Sequence, residues 1–237
     1  MIETSSQRQK RTRSEFERQL HRLEQDTLRM GALVENSFLL AHAALFERDL
    51  EAATRIDPQD KQIDQIYRQI EIDCISLIAL QSPVARDLRL LSALMQLIRD
   101  IERIGDYAEN LGDIAIKLFP YAPSPYLGEL QIMSNRCRAM LAMSLEALAN
   151  FDENIGLQIK IKDDAVDDDY KQIYNLLAAQ KLFGGEPMEP VMLMVLAIHH
   201  LERMADHATN VGLRVAYIVT GKLGKTKKEA ARRADSF

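Results

Sequence analysis

The stretch DIERIGDYAENLG, residues 100–112, returns as HLERMADHATNVG at residues 200–212. Six of the thirteen positions are identical at an offset of one hundred: Glu102/Glu202, Arg103/Arg203, Asp106/Asp206, Ala108/Ala208, Asn110/Asn210 and Gly112/Gly212. A second correspondence lies upstream, where DKQIDQIYRQI at 60–70 matches DDAVDDDYKQI at 163–173. There Asp60/Asp163, Asp64/Asp167, Tyr67/Tyr170, Gln69/Gln172 and Ile70/Ile173 coincide at an offset of 103. The chain is therefore a tandem duplication of a unit of about one hundred residues.

The unit reads as helix. From Ser14 to about Arg48, apolar residues recur at Phe16, Leu20, Leu23, Met30, Leu33, Phe38, Ala41 and Leu45, the spacing of a long amphipathic helix. A short piece in RDLEAATRID follows, and Asp57-Pro58 opens a second helix running to about Leu80. Ser82 as N-cap and Pro83 at the first turn start a third helix, which Pro120 stops after Phe119. The loop-like PYAPSPYLG at 120–128 divides the halves. The second half is expected to repeat the order long, short, medium, long, with a Gly-Gly turn at 184–185 before the last helix. Short connections favour antiparallel neighbours, so the expected fold is all-α, two three-helix bundles over 14–119 and 129–221 with about six long helices.

Composition agrees: Trp is absent, Gly and Pro are sparse, and the hydrophobic share is 47%. Cys74 and Cys137, far apart and outside any CxxC, are expected as buried free thiols. No apolar run is long enough for a membrane span, and MIETSSQRQKRTR has no apolar core of a secretory leader. Charge is uneven. Residues 1–13 carry four basic side chains against one acidic, and 222–237 six against two, so of the total −5 the body 14–221 holds −12. The tails are expected as disordered, solubilising segments, with contact to an acidic partner or anionic head groups as the alternative. The acidic body speaks against a nucleic-acid-binding surface.

Four acidic pairs at i, i+4 stand out: Asp60/Asp64, Glu102/Asp106, Asp163/Asp167 and Glu202/Asp206. That spacing stacks two carboxylates on one helical face. A lone pair of this kind is ordinary surface decoration, but here both halves carry one on the second helix and another on the third. Antiparallel packing would bring each set of four together, where mutual repulsion disfavours ionisation unless a cation intervenes. Carboxylate oxygens suit Mg, Mn, Fe or Zn, so two metal sites are expected. Arg103 and Arg203 are expected to grip a carboxylate bidentately or neutralise an anion, and Asn110 and Asn210 to support the same sites. Gly105/Ala205, Ala108/Ala208 and Gly112/Gly212 are small enough for a neighbouring helix to approach closely. His199, His200 and His207 have no histidine counterparts in the first half and read as partly exposed side chains, with a role as extra ligand the alternative. Catalytic fingerprints are missing: no GxSxG, P-loop, HExxH or Glu-x-x-His pairing occurs in the repeated motif. The run MEPVMLMVL reads as core packing.

The two three-helix repeats, the ERxxDxxxN signature in each third helix and the stretch LMQLIRDIERIGDYAENL closely resemble the phosphate-uptake regulator PhoU family, from about residue 14 to 221. The resemblance implies metal clusters, iron or zinc before magnesium or manganese, divalent or trivalent. One would sit on Asp60, Asp64, Glu102 and Asp106, the other on Asp163, Asp167, Glu202 and Asp206. Asp100 stands where the second half has His200, so the two sites would differ in metal or affinity. It further implies a cytoplasmic, non-enzymatic regulator, often a homodimer, that meets the ATPase subunit of a phosphate ABC transporter and a phosphate-sensing histidine kinase. It would reach the membrane through those partners and repress transporter expression and activity when phosphate is plentiful. The competing expectations are a carboxylate-metal phosphoesterase and a metal-free helical scaffold.

Overall fold

Alanine, leucine, isoleucine and methionine at a 3.6-residue period commit the chain to amphipathic helices, and each helix becomes stable only by burying its stripe against others. The computed structural model describes residues 5–181 and 187–222, with side chains from Arg13 onward. The expected Gly-Gly turn at 184–185, and the tails at 1–4 and 223–237, lie outside the described residues. Among those described there is no strand.

The first bundle comprises α1 (Ser5–His42), the short α2 (Leu50–Thr54), α3 (Ile56–Gln81) and α4 (Ala85–Leu118). The second comprises α5 (Leu127–Asn150), α6 (Glu153–Ala178) and α7 (Glu189–Thr220). Helix α1 begins at Ser5, so most of the stretch expected as a disordered tail over 1–13 is helix. The helices α1, α3 and α4 pack on one another, as do α5, α6 and α7, and α4 packs on α7 to join the halves. Along the seam Asp100 meets His207, Tyr107 meets His200, and Arg89 meets Gly221. Residue numbers rise on one helix as they fall on the other, so α4 and α7 are antiparallel. Both are buried deeply, through Leu91, Leu94, Leu97, Ile98, Ile101 and Ile104 on α4 and Met194, Ala197, Ile198, Leu201 and Met204 on α7. Each large aliphatic there contributes about 1.5–3 kcal/mol of burial, which makes one core of two repeats.

The repeat extends to the corners. After α1 and a π-helical turn (Ala43–Glu47), Arg48 takes a left-handed φ of 58°, and after α5 Phe151 takes one of 49°. An aspartate then caps the next helix in each half. Asp49 accepts from the Ala52 amide at 3.0 Å, and Asp152 from the Asn154 and Ile155 amides at 2.8 and 3.2 Å.

Beyond that cap the halves part company. The expected short element of the second half does not exist as a separate piece: α6 runs unbroken from Glu153 to Ala178. In the first half Pro58 cannot donate to the Thr54 carbonyl, and the helix breaks at Arg55 into α2 and α3. The second half has Ile161 at the matching position, so nothing interrupts it. A second correction concerns Ser82, which caps no helix start. Helix α3 runs through Gln81, and Ser82 closes it with a φ of 46°; Val84 precedes α4 without a side-chain cap.

The cysteines are free and buried, as expected. Burial pushes the Cys74 thiol up to about 12 and the Cys137 thiol higher still. Neither is expected to react with a thiol reagent at pH 8 in the folded protein, and both should react in denaturant. Labelling of the native chain at the denatured rate would contradict this packing.

Candidate metal centre

Helix α3 carries Asp60 and Asp64 one turn apart, and α4 carries Glu102 and Asp106. Antiparallel packing brings the four together. Asp60 is held above its usual value, first by burial and then by Asp106 and Asp64. Burial, then Asp106, pushes Glu102 up to about 7, with Asp64 and Asp60 adding to the repulsion. Asp106 is raised by burial more than the Arg103 guanidinium lowers it. The second half repeats the arrangement between α6 and α7. There Glu202 is raised by burial first and by Asp206, Asp167 and Asp163. All eight expected carboxylates thus lie in two groups of four, each straddling a helix pair.

The groups are not equivalent. Asp163 is buried at 1% exposure, whereas its counterpart Asp60 is only half-buried. Arg203 is likewise less exposed than Arg103, 25% against 49% for the side chain. Arg203 is also held by the Tyr107 hydroxyl across the seam, and α6 and α7 approach closely at a glycine pair. A Cβ on Gly156 would lie 2.5 Å from the Gly212 carbonyl oxygen, and one on Gly212 would lie 2.7 Å from the Gly156 oxygen. The backbones of α6 and α7 touch. At the matching place in the first half, Ala53 replaces Gly156, and Gly112 meets only the Cδ1 end of Ile56 at 2.6 Å. There no backbone atom of a neighbouring helix comes within 4 Å of a Cβ on Gly112.

Several supporting roles differ from expectation. Arg103 and Arg203 grip no carboxylate bidentately. Each donates one hydrogen bond within its own helix, to Asp106 Oδ2 at 2.8 Å and to Asp206 Oδ2 at 2.7 Å. An i, i+3 geometry presents one nitrogen, not the fork. Asn110 donates to the Asp106 main-chain carbonyl at 2.7 Å, away from the carboxylates. Asn210 reaches across the seam to Asp100 Oδ1 at 3.2 Å, which His207 Nδ1 also meets at 2.8 Å. Asp100 therefore latches α4 to α7. His200 and His207 flank the Tyr107 ring, with centroids 5.5 and 5.9 Å away, while His199 lies beside His200.

The sequence reading missed two members of the first group. Glu109 is raised by burial and then by Asp60, and Tyr67 is raised by burial and then by Glu71 and Glu102. Glu109 lies seven residues after Glu102, hence on the same face of α4, which is the signal that could have found it. Its second-half counterpart is Thr209.

Among the described residues, no three Asp, Glu, His or Cys side chains converge in metal-ligating geometry. What the first group does form is a half-buried set of hard oxygen donors that repel one another. In the first group Arg68 on Asp64 and Arg103 on Asp106 are the cations bonded directly to its carboxylates. By donor chemistry the set fits a small hard or borderline cation.

The PhoU domain family matches residues 27–115 and again 130–215. The chain belongs to the PhoU family. It is 55% identical over 89% of its length to a Synechocystis protein described as a phosphate-specific transport system accessory protein PhoU homolog, covering 93% of that relative. A Pseudomonas aeruginosa protein of the same description is 32% identical over 87% of this chain and 86% of its own. The crystal structure of PhoU from Pseudomonas aeruginosa superposes with a TM-score of 0.84 at 32% identity, covering 87% of this chain and 100% of that one. The phosphate transport system regulatory protein PhoU from Streptococcus pneumoniae gives 0.80 at 30% identity, covering 89% and 99%.

Proposed function

We propose that this PhoU-family chain is a cytoplasmic, non-enzymatic regulator of a phosphate ABC transporter, and that its two carboxylate groups bind metal ions. The observation carrying this reading is the pair of charge-crowded acid groups, one at each α3–α4 and α6–α7 junction, in a chain so close to phosphate-transport accessory proteins. Asp60, Asp64, Glu102 and Asp106 would hold one cluster; Asp163, Asp167, Glu202 and Asp206 would hold the other. Iron or zinc come first, magnesium or manganese next. A bound cation supplies the positive charge that lets all four carboxylates of a group ionise together. The residues themselves then act as a clamp: α3 to α4 in one half, α6 to α7 in the other. The clamped acidic face, as a homodimer, would meet the transporter ATPase subunit and the phosphate-sensing histidine kinase and hold uptake and signalling down when phosphate is plentiful.

Asp106→Ala combined with Asp206→Ala tests the sites. Purified without chelator, the double variant is expected to lose most of the bound metal measured in the wild type. Unchanged metal content would remove the assignment. Deleting the gene should leave a phosphate-responsive reporter active in high phosphate; normal repression would remove the regulatory role.

A second reading has one observation in its favour. A carboxyl pushed up to about 7, as Glu102 is, suits a general acid or base. Metal-assisted phosphoester hydrolysis would then appear as Mn-dependent turnover of p-nitrophenyl phosphate, abolished by Glu102→Gln.

A further inference from the structure

The carboxylates of α7 share their helix face with a buried hydroxyl that has nothing to bond. Thr209 is 6% exposed, and its Oγ1 has no hydrogen-bond partner. A buried polar group left unpaired costs about 1–3 kcal/mol. The ordinary escape for a threonine in a helix is to donate back to a carbonyl of the preceding turn. The chain uses it elsewhere: Thr27 donates to the Leu23 carbonyl at 2.7 Å, Thr54 to that of Glu51 at 2.8 Å and Thr220 to that of Ala216 at 2.8 Å. Thr209 makes no such bond.

Its position shows where the hydroxyl faces. Thr209 lies seven residues after Glu202 and three after Asp206, so the three occupy one face of α7. That face meets α6, because Asp167 and Asp163 act on the Glu202 carboxyl across the junction. The repeat gives a second bearing. Glu109 holds the same place on α4, and Asp60 on α3 raises its carboxyl. Asp163 is the counterpart of Asp60. Three residues beyond Thr209 comes Gly212, whose backbone meets that of Gly156 on α6. Thr209 therefore stands between the helix contact and the carboxylates. Ser37, the other buried hydroxyl without a partner among the described residues, is on α1, which carries none of the eight carboxylates.

We propose that the Thr209 hydroxyl is an oxygen ligand of the cation held by the second group, beside Asp163, Asp167, Glu202 and Asp206. The inference rests on the metal-binding reading above and adds a residue to it. A hydroxyl is a hard, neutral oxygen donor, suited to the same small cations as the carboxylates. A lone pair faces the ion, and the hydrogen stays on the oxygen. Cation binding then satisfies an atom that folding alone leaves unpaired. At this position the first group offers the Glu109 carboxyl instead, so loss of the Thr209 hydroxyl should weaken one group and leave the other as it was.

The test is calorimetric titration of the full chain with manganese chloride in an Asp106→Ala background, where the first group is disabled and the second is read alone. Thr209→Val keeps the shape of the side chain and deletes the hydroxyl, and is expected to weaken manganese binding about tenfold or more. Thr209→Ser returns the oxygen and should bind nearly as its parent does. In chelator Thr209→Val should melt no lower than its parent, since it removes an unpaired buried polar atom. A lost affinity is then not a lost fold. Unchanged affinity in Thr209→Val, or equal weakening in Thr209→Ser, would overturn the inference and leave the metal sites standing. So would manganese uptake by the wild type with none by the Asp106→Ala chain. A wild type that takes up neither manganese nor zinc would remove the metal-binding reading itself, and this inference with it.

Discussion

In chelator at pH 8, Glu102→Gln is expected to raise the melting temperature of the protein, not lower it. The carboxyl sits at about 7 in the folded chain against an ordinary value of 4.5, because burial and then Asp106 oppose its charge. Below pH 4.5 it is protonated folded and unfolded, and contributes nothing to the difference. Between 4.5 and 7 the folded chain keeps a proton that the unfolded chain has released, so stability falls as pH rises. Above 7 the penalty is complete. Glutamine mimics the protonated form, so its advantage is absent at pH 4 and full at pH 8. With the group half-buried and screened by solvent, the gain is about 1–2 kcal/mol, or roughly 2–8 °C for a chain of this size. Saturating zinc or manganese should invert the order. The wild type gains about 2.7 kcal/mol at one hundred times its dissociation constant, whereas the variant has lost a donor. Melts at pH 4 and 8, with chelator and with metal, decide the matter. If Glu102→Gln melts lower than wild type in chelator at pH 8, the carboxylates are well compensated and need no cation.

The second large effect concerns packing, and sets two glycines of identical repeat position against each other. Gly212→Ala should destabilise by about 3 kcal/mol, the upper end for overpacking, lowering the melting temperature by about 6–12 °C. Its methyl would lie 2.7 Å from the Gly156 oxygen and 2.9 Å from Ile159 Cδ1, and a carbonyl in a helix cannot rotate aside. Gly112→Ala should change stability by no more than about 1 kcal/mol. Its methyl meets only the flexible end of Ile56, and alanine recovers about 1 kcal/mol of helix propensity. Because α6 and α7 are forced apart, metal affinity of the second group should fall in Gly212→Ala while the first is unaffected. Equal melting shifts for the two variants would show that the helix contact is not the one described.

Much of this was legible in the chain itself. A helix period of 3.6 and an acidic pair at i, i+4 are local properties, so the all-α class, the duplication and the eight carboxylates could be read from spacing alone. The small residues also pointed to close helix approach, correctly for Gly212. Spacing could not show which neighbour each side chain would meet. Asn210 and Asp100 sit in the same repeated motif, yet they pair with each other, because α4 runs antiparallel to α7 and brings position 100 beside 207 and 210. Spacing alone does not set Glu109 apart from the other charges on its face; its neighbourhood with Asp60 is made by the packing of α3 on α4.

What the sequence determined by itself is therefore the repeated unit, its helices and the chemistry each presents on one face, since these follow from the order of residues within a few turns. Only the tertiary structure decided the difference between the halves. A proline at 58 against isoleucine at 161, and an alanine at 53 against glycine at 156, set how straight and how close the helices run. How close two helices come is a property of two surfaces in contact, which neither stretch of sequence contains alone.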